Sequence, residues 1–232
     1  MSIETSMKYS NKNLLSFSIA LMIFCSFCFS SANCAKPKEQ TIINKIQEYL
    51  GSLNRVGINF TQRDSTGTIH QGILLIQKPN LFRANYDAPH PILIVGTKNF
   101  ISIYDYELNE ASRIDPKDNI FKFLLDEDIT ISSKLDIISI KENTKDVTLV
   151  LNHKDTEQKA RISFSLNPIT IAFLEVPDDG ENFTKGVTRV VFDRPRQITG
   201  DTKSLFTIKN PEVYGAPPRL SREKISKIIY KK

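Results

Sequence analysis

The spacing of hydrophobic residues changes at about residue 54. Between residues 40 and 53 the apolar positions recur every three or four residues, which predicts a short amphipathic helix. From residue 56 to residue 60 apolar and polar residues alternate, and a second apolar run covers residues 69–76. Asp64, Ser65, Thr66 and Gly67 between the two runs are turn residues, so the pattern predicts a β-hairpin on which the helix packs.

Nine further strand-like runs follow at short intervals. They cover residues 81–86, 92–95, 100–104, 111–114, 135–140, 147–151, 160–166, 169–174 and 187–192. Turn residues separate them, as at Lys78-Pro79-Asn80. About eleven short strands without alternating helices predict a mostly β fold, in which one antiparallel sheet must curl or close. A small barrel is filled by its own side chains, whereas a wider one leaves a cavity.

One segment interrupts the β pattern at residues 119–125. It contains Ile120, Phe121, Phe123, Leu124 and Leu125, which are too many large apolar residues for a solvated loop or for one face of so short a helix. We expect a short helix that lies over an apolar surface of the sheet, as a lid does. A helix that merely caps a filled barrel is the alternative.

The N-terminus has the order of segments found in export signals. Lys8 and Lys12 precede an apolar stretch over residues 14–29, and small or polar residues follow up to Ala35. This order predicts a secretory signal peptide over residues 1–35, with the remaining chain exported. The apolar stretch is short for a retained membrane anchor.

All three cysteines, Cys25, Cys28 and Cys34, lie in this N-terminal segment, so the mature chain is expected to contain none. Disulfides, thiol catalysis and cysteine metal sites are then excluded together. Acylation of Cys34 would instead make the chain a lipoprotein. A lipoprotein signal has a small residue directly before the acylated cysteine, and Asn33 fits that position poorly.

The positive charge is concentrated at the C-terminus. From Arg219 onward there are six basic residues against Glu223 alone, whereas the preceding body is close to neutral. We therefore predict one domain over residues 36–218 and a basic tail over residues 219–232. Ile225, Ile228 and Ile229 have helical spacing in this tail, which favours either a frayed terminus or a helix that docks on an anionic membrane or an acidic partner. Nucleic-acid binding is not expected, since basic residues are not spread over a folded face with aromatic residues among them.

The chain shows no pattern typical of an enzyme or of a cofactor site. His70, His90 and His153 are scattered without metal-ligand spacing, and Asp178-Asp179 is typical of a loop. A Ser-His-Asp arrangement, a glycine-rich phosphate loop and an HExxH motif are all absent from the sequence. We expect no catalytic residues, no metal and no cofactor.

Several short motifs occur in a specific order between residues 60 and 105. They are Phe60-Thr61-Gln62, Gly67, Gly72, Lys78-Pro79-Asn80-Leu81-Phe82, Tyr86, Pro89, Ile94-Val95-Gly96 and Tyr104-Asp105. Behind a signal peptide, this order resembles the periplasmic lipoprotein carriers of the LolA family. The resemblance extends from about residue 42 to residue 208.

The family resemblance implies an incomplete, unclosed β-barrel with a helical lid over an apolar cavity. Members take lipoproteins by their acyl chains from an inner-membrane ABC transporter to an outer-membrane receptor. The resemblance therefore implies a monomeric periplasmic chaperone, with lipoproteins, that transporter and that receptor as its partners. Two proteins of the same fold are alternatives: the outer-membrane receptor, which is itself a lipoprotein, and a lipid-sensing regulatory module.

The resemblance also implies which residues form the acyl cavity. Phe82 would face the cavity, and Ala84 and Tyr86 would follow on the same strand face. The same alternation makes Phe60 and Ile58 candidates, together with either Ile73 and Leu75 or Leu74 and Ile76. The lid would contribute Phe121, Phe123 and Leu124. For each aromatic residue alone, ordinary core packing is an equally good interpretation.

A lid latch is also implied by the resemblance. Family members commonly place an arginine before the proline of the turn, where it bonds the lid backbone, and this chain has Lys78 there. Lysine lacks the planar five-donor fork, so the latch is either weaker or supplied by Arg83. A latched lid would use part of the acyl burial energy for opening, which keeps the net affinity low enough for release.

Overall fold

The structure is a computed structural model that describes residues 37–116, 125 and 130–230. The predicted signal peptide and most of the predicted lid, including Phe121, Phe123 and Leu124, lie outside the described residues. Among the described residues, the helices are too short or too polar to cross a bilayer. Residues Lys38–Lys232 form one compact unit.

Twelve antiparallel strands form one sheet. Their bounds are β1 Arg55–Arg63, β2 Ile69–Gln77, β3 Leu81–Tyr86, β4 Ile92–Gly96, β5 Ile101–Asp105, β6 Glu110–Ile114, β7 Leu135–Glu142, β8 Asp146–His153, β9 Lys159–Leu166, β10 Ile169–Pro177, β11 Val187–Phe192 and β12 Arg196–Gln197. The eleven predicted strands are therefore confirmed, and among the described residues the sequence pattern missed only the two-residue strand β12.

The sheet is not closed, which confirms the predicted fold class. The strand order is β6-β5-β4-β3-β2-β1-β11-β10-β9-β8-β7, with β12 paired to β1. The strands β6 and β7 therefore lie at the two ends of the sheet in the described part of the chain. All pairs are between neighbours in sequence except those of β1 with β11 and with β12.

The helices are short. They are α1 Pro37–Ser52, α2 Ile131–Lys134, α3 Pro211–Tyr214 and α4 Arg222–Ile229, with a 3₁₀ turn over Lys203–Phe206. The N-terminal amphipathic helix is thus confirmed as α1. Its apolar stripe, which includes the buried Ile43, Ile46 and Leu50, packs on one face of the sheet against β1 and β7–β10.

The opposite face of the sheet packs on a second apolar cluster. Ile73 and Leu75 of β2 and Leu93 and Val95 of β4 meet residues from the C-terminal part of the chain. Those C-terminal residues are Ile198, Leu205, Phe206, Ile225 and Ile229, each at most 5 % exposed. We call residues 194–230, which carry this layer, the C-terminal segment.

The prediction of a frayed tail is wrong. Helix α4 is N-capped by Ser221, whose Oγ accepts a hydrogen bond from the Lys224 backbone N–H. Ile225 and Ile229 are completely buried, so the helical spacing of these isoleucines reflects core packing. The described basic residues from Arg219 to Lys227 belong to the same compact unit as the sheet, so residues 219–230 do not form the separate tail that was predicted over residues 219–232.

Candidate functional site

An apolar cavity of about 380 Å³ lies on the α1 face of the sheet, towards β3–β6. Eight strands contribute to its wall, which is almost entirely apolar. Its apolar lining comprises Phe60, Leu74, Ile76, Phe82, Ala84, Tyr86, Ile94, Ile101, Ile103, Ile114, Pro116, Leu125, Leu174, Val176, Val190 and Phe192. Ligand pockets in proteins commonly measure about 300–1,000 Å³, so this cavity is large enough for a ligand.

Phe60 and Tyr86 lie in the cavity wall, as the alternation predicts. Their rings meet edge to face with centroids 5.0 Å apart. The Tyr86 hydroxyl donates to Oε1 of Gln62 at 2.9 Å, which satisfies its polar atom at the margin of an apolar surface. Burial raises the pKa of Tyr86, so this hydroxyl is neutral at physiological pH.

Phe82 also lies in the cavity wall, opposite Gly96 on the neighbouring strand. A Cβ atom at position 96 would overlap the Phe82 ring, and one at position 72 would overlap the ring of Phe60, its own cross-strand partner. Two aromatic rings therefore occupy the space that a side chain at each glycine would fill.

The register of β2 decides between the two alternatives that the sequence left open. Leu74 and Ile76 line the cavity, whereas Ile73 and Leu75 belong to the cluster under the C-terminal segment. Ile58 is on the cavity face but is packed in the core beside α1 and does not line the cavity. Ala84 lies in the cavity wall as expected.

Both described ends of the lid region border the cavity. Pro116 and Leu125 contribute to its wall, and the Leu125 carbonyl accepts a hydrogen bond from the Asn80 backbone N–H at 2.9 Å. The roles assigned to Phe121, Phe123 and Leu124 stay predictions, because these residues lie outside the described part.

The two residues considered for the lid latch lie in different places. Lys78 donates from Nζ to the carbonyl of Leu50, near the end of α1, at 2.8 Å. Arg83 is 4 % exposed and points to the opposite face of the sheet, where it donates to the Leu205 carbonyl at 2.7 Å. Arg83 as a lid latch is therefore corrected, since it alternates with the cavity residues Phe82 and Ala84.

Arg83 instead fixes the C-terminal segment, a role that the sequence pattern did not reveal. Its Nε donates to Oδ1 of Asn85 at 2.6 Å, and the Asn85 amide lies 3.5 Å from the Leu220 carbonyl. Burial lowers the pKa of Arg83 to about 10. The guanidinium thus stays charged at neutral pH and holds its partners by charge-assisted hydrogen bonds.

Polar chemistry around the cavity is sparse. Gln62, Asn80, Thr97 and Thr188 are the polar side chains in its wall. In the described residues, His, Cys, Asp and Glu side chains do not gather in a group of three or more that could hold a metal ion. The cavity therefore offers apolar surface as its main means of recognition.

A family model describing the outer membrane lipoprotein carrier protein LolA matches residues 51–209. The chain belongs to the LolA family. The match ends within a residue of the C-terminal limit drawn from the sequence motifs, and it confirms the resemblance. It includes every described strand and excludes α3 and α4.

Among curated proteins, the chain is 36 % identical over 207 residues to the uncharacterized protein RP864 of Rickettsia prowazekii. That alignment covers 89 % of this chain and 94 % of the relative. Similar solved structures include the LolA superfamily protein NE2245 of Nitrosomonas europaea, with a TM-score of 0.45, 10 % identity and coverage of 73 % and 97 % of the two chains. An uncharacterized conserved protein of Thermus thermophilus gives a TM-score of 0.44, 10 % identity and coverage of 74 % and 94 %.

Proposed function

We propose that the mature chain is a periplasmic chaperone that binds lipoproteins by their acyl chains and carries them to the outer membrane. The observation that carries this proposal is the apolar cavity inside a sheet of the LolA family. Its wall combines aliphatic side chains with two aromatic rings that contact glycine backbone. Such a surface suits flexible hydrocarbon chains, which need no directional polar partner.

The energy of acyl burial supports a carrier that binds and releases. Each buried CH₂ group contributes about 0.8 kcal/mol, so several acyl chains in a fully enclosed apolar site would dissociate very slowly. A cavity that must open or reorganise before it is filled lowers the net affinity by the free energy of that change. In this proposal that change is the opening of the lid predicted over residues 119–125. The Asn80 backbone N–H donates a hydrogen bond to the carbonyl of Leu125, the described residue of this predicted lid.

The partners follow from the same proposal. Lipoproteins would be received from an inner-membrane ABC transporter and delivered to an outer-membrane receptor, with the chain acting as a monomer in the periplasm. The signal peptide predicted over residues 1–35 supports export. No bound cofactor is required, because the transfer changes no covalent bond.

A matched pair of variants on β11 tests acyl binding. Val190 lines the cavity, whereas its neighbour Val191 points away from it and is 46 % exposed. We expect Val190→Glu to abolish the complex with a triacylated lipoprotein, because a carboxylate would stand in the apolar wall. Val191→Glu adds the same charge on the other face and should leave the complex intact.

Native mass spectrometry of the mature chain, purified from periplasm and incubated with the lipoprotein, measures the complex directly. The expected result is a complex for the parent chain and for Val191→Glu but not for Val190→Glu. A parent chain that takes up neither lipoprotein nor free fatty acid would overturn the proposal. The intact mass also tests the receptor alternative, since a diacylglycerol on Cys34 would identify a lipoprotein.

A further inference from the structure

The C-terminal segment carries a charge opposite to that of the preceding part of the chain. Residues 194–230 contain eight basic and three acidic residues, whereas residues 37–193 contain 18 basic and 22 acidic residues. The segment therefore has a net charge of +5 and the preceding region one of −4. The LolA family model ends at residue 209, so the last part of the segment, with Arg219, Arg222, Lys224 and Lys227, lies outside the family match.

The position of the segment places this positive charge on one side of the domain. It packs on the face of the sheet opposite the cavity, with Ile225 and Ile229 buried against it. Hydrogen bonds tie it down along its length, from Arg83 to the Leu205 carbonyl and from the Tyr106 hydroxyl to the Pro218 carbonyl. Side chains of the segment that do not face the sheet must point outward from this face.

Seven basic side chains of the segment remain exposed. They are Arg194, Arg196, Lys203, Lys209, Arg219, Lys224 and Lys227. Lys227 pairs with Glu223 at 2.6 Å, which neutralises one of them locally. The others leave an excess of positive charge on the outer surface. A field of this kind attracts anionic surfaces over a distance of about one Debye length, or roughly 8 Å at physiological salt.

Two exposed apolar side chains lie within this basic surface. Val213 and Tyr214 of α3 are 68 % and 67 % exposed. The Lys209 ammonium lies 5.2 Å from the centre of the Tyr214 ring. Tyrosine beside lysine or arginine is typical of side chains at the membrane–water interface, where the ring enters the headgroup region and the cation meets lipid phosphate.

We infer that the outer face formed by the C-terminal segment docks on the surface of an anionic bilayer. The basic side chains bind lipid phosphates, and Val213 and Tyr214 enter the headgroup region. This differs from insertion of α4, because Ile225 and Ile229 are committed to the core. The cavity lies on the opposite face of the sheet, so the docked protein keeps it accessible.

Vesicle flotation tests this inference with the chain from Lys36 onward, which contains the whole folded unit. The probes are vesicles of phosphatidylethanolamine alone and vesicles that also contain phosphatidylglycerol. We expect the parent chain to float with the phosphatidylglycerol vesicles at low salt, to float less as salt rises, and not to float with phosphatidylethanolamine alone. No flotation with either, or equal flotation with both, would overturn the inference.

Two triple variants with the same change in net charge locate the surface. Lys209→Glu, Arg219→Glu and Lys224→Glu together should reduce vesicle binding at least tenfold. Lys98→Glu, Lys141→Glu and Lys145→Glu reverse three exposed lysines outside the segment and should retain most of the binding. Equal loss in both triples would show that only net charge matters, and the proposed face would then be wrong.

A fluorescence measurement tests the apolar contact separately. The chain contains no tryptophan, so Tyr214→Trp provides a single reporter. Its emission should shift to the blue on phosphatidylglycerol vesicles, whereas Ile138→Trp, which replaces an exposed residue of β7, should not shift. A blue shift for Ile138→Trp without one for Tyr214→Trp would contradict the inference. Val190→Glu should still bind vesicles, which separates this result from failure of the acyl-binding proposal.

Discussion

The two faces of the sheet differ in what covers them. On one face, β1–β6, β10 and β11 line an apolar cavity, and on the other the C-terminal segment fills the space over β2–β5 with its own side chains. Both faces consist of large aliphatic and aromatic residues. The difference teaches that an apolar strand face becomes a core or a binding site according to whether another part of the same chain covers it.

The largest expected effect concerns the filled face. Ile225→Ala should lower the free energy of unfolding by about 2–5 kcal/mol, because it removes a completely buried side chain and leaves a void. Urea unfolding measures the loss. Ile138→Ala, at a position 58 % exposed, is the control and should change little. A loss for Ile225→Ala no larger than that of the control would mean that the C-terminal segment does not contribute to the stability of the domain.

The second prediction concerns the polar anchor of the same face. Arg83→Met should cost about 1–3 kcal/mol, since the Leu205 carbonyl and the Asn85 amide lose a buried donor. Hydrogen exchange should then show faster exchange for amides of residues 198–230 than for those of β8 and β9. The matched variant Arg113→Met changes an exposed arginine and should leave exchange unchanged. Uniform acceleration over the sheet would argue against a local anchor.

A smaller effect on stability is expected on the cavity face. Phe82→Ala should cost about 1 kcal/mol, below the usual loss for a buried phenylalanine, because one side of this ring faces the cavity and not the packed core. The same variant should change the affinity for acyl chains. Displacement of a bound fluorescent fatty acid by lipoprotein measures this affinity. A loss of stability as large as that of Ile225→Ala would show that the ring is packed as core.

The smallest effect on stability concerns the outer surface of the C-terminal segment. Tyr214→Ser should change the free energy of unfolding by no more than about 0.5 kcal/mol, as is usual for exposed positions. It should nevertheless weaken binding to phosphatidylglycerol vesicles if the ring enters the headgroup region. Thermal unfolding and flotation of the same preparation separate the two properties. A strongly destabilised variant would instead assign Tyr214 to the packing of the domain.

The strand pattern of this protein is readable from the sequence because alternation and turn residues are local signals. All eleven long strands and α1 were predicted, while β12 was missed because two residues are too few to show a period. The cavity residues Phe60, Phe82 and Tyr86 were predicted from family motifs and alternation. Arg83 was misassigned as a substitute for Lys78, which is near it in sequence, because Arg83 lies on the face of β3 opposite the cavity residues Phe82 and Ala84.

The sequence by itself determined the fold class and the family, since both depend on short-range periodicity and on the order of local motifs. Only the tertiary structure decided that Leu74 and Ile76 face the cavity, and that Ile225 and Ile229 form core in place of a frayed tail. Alternation defines two faces for every strand, but the coverage of a face depends on residues far away in sequence. Ile73 and Ile225 belong to the same apolar cluster, although most of the chain separates them in sequence. A local pattern carries no information about such a contact.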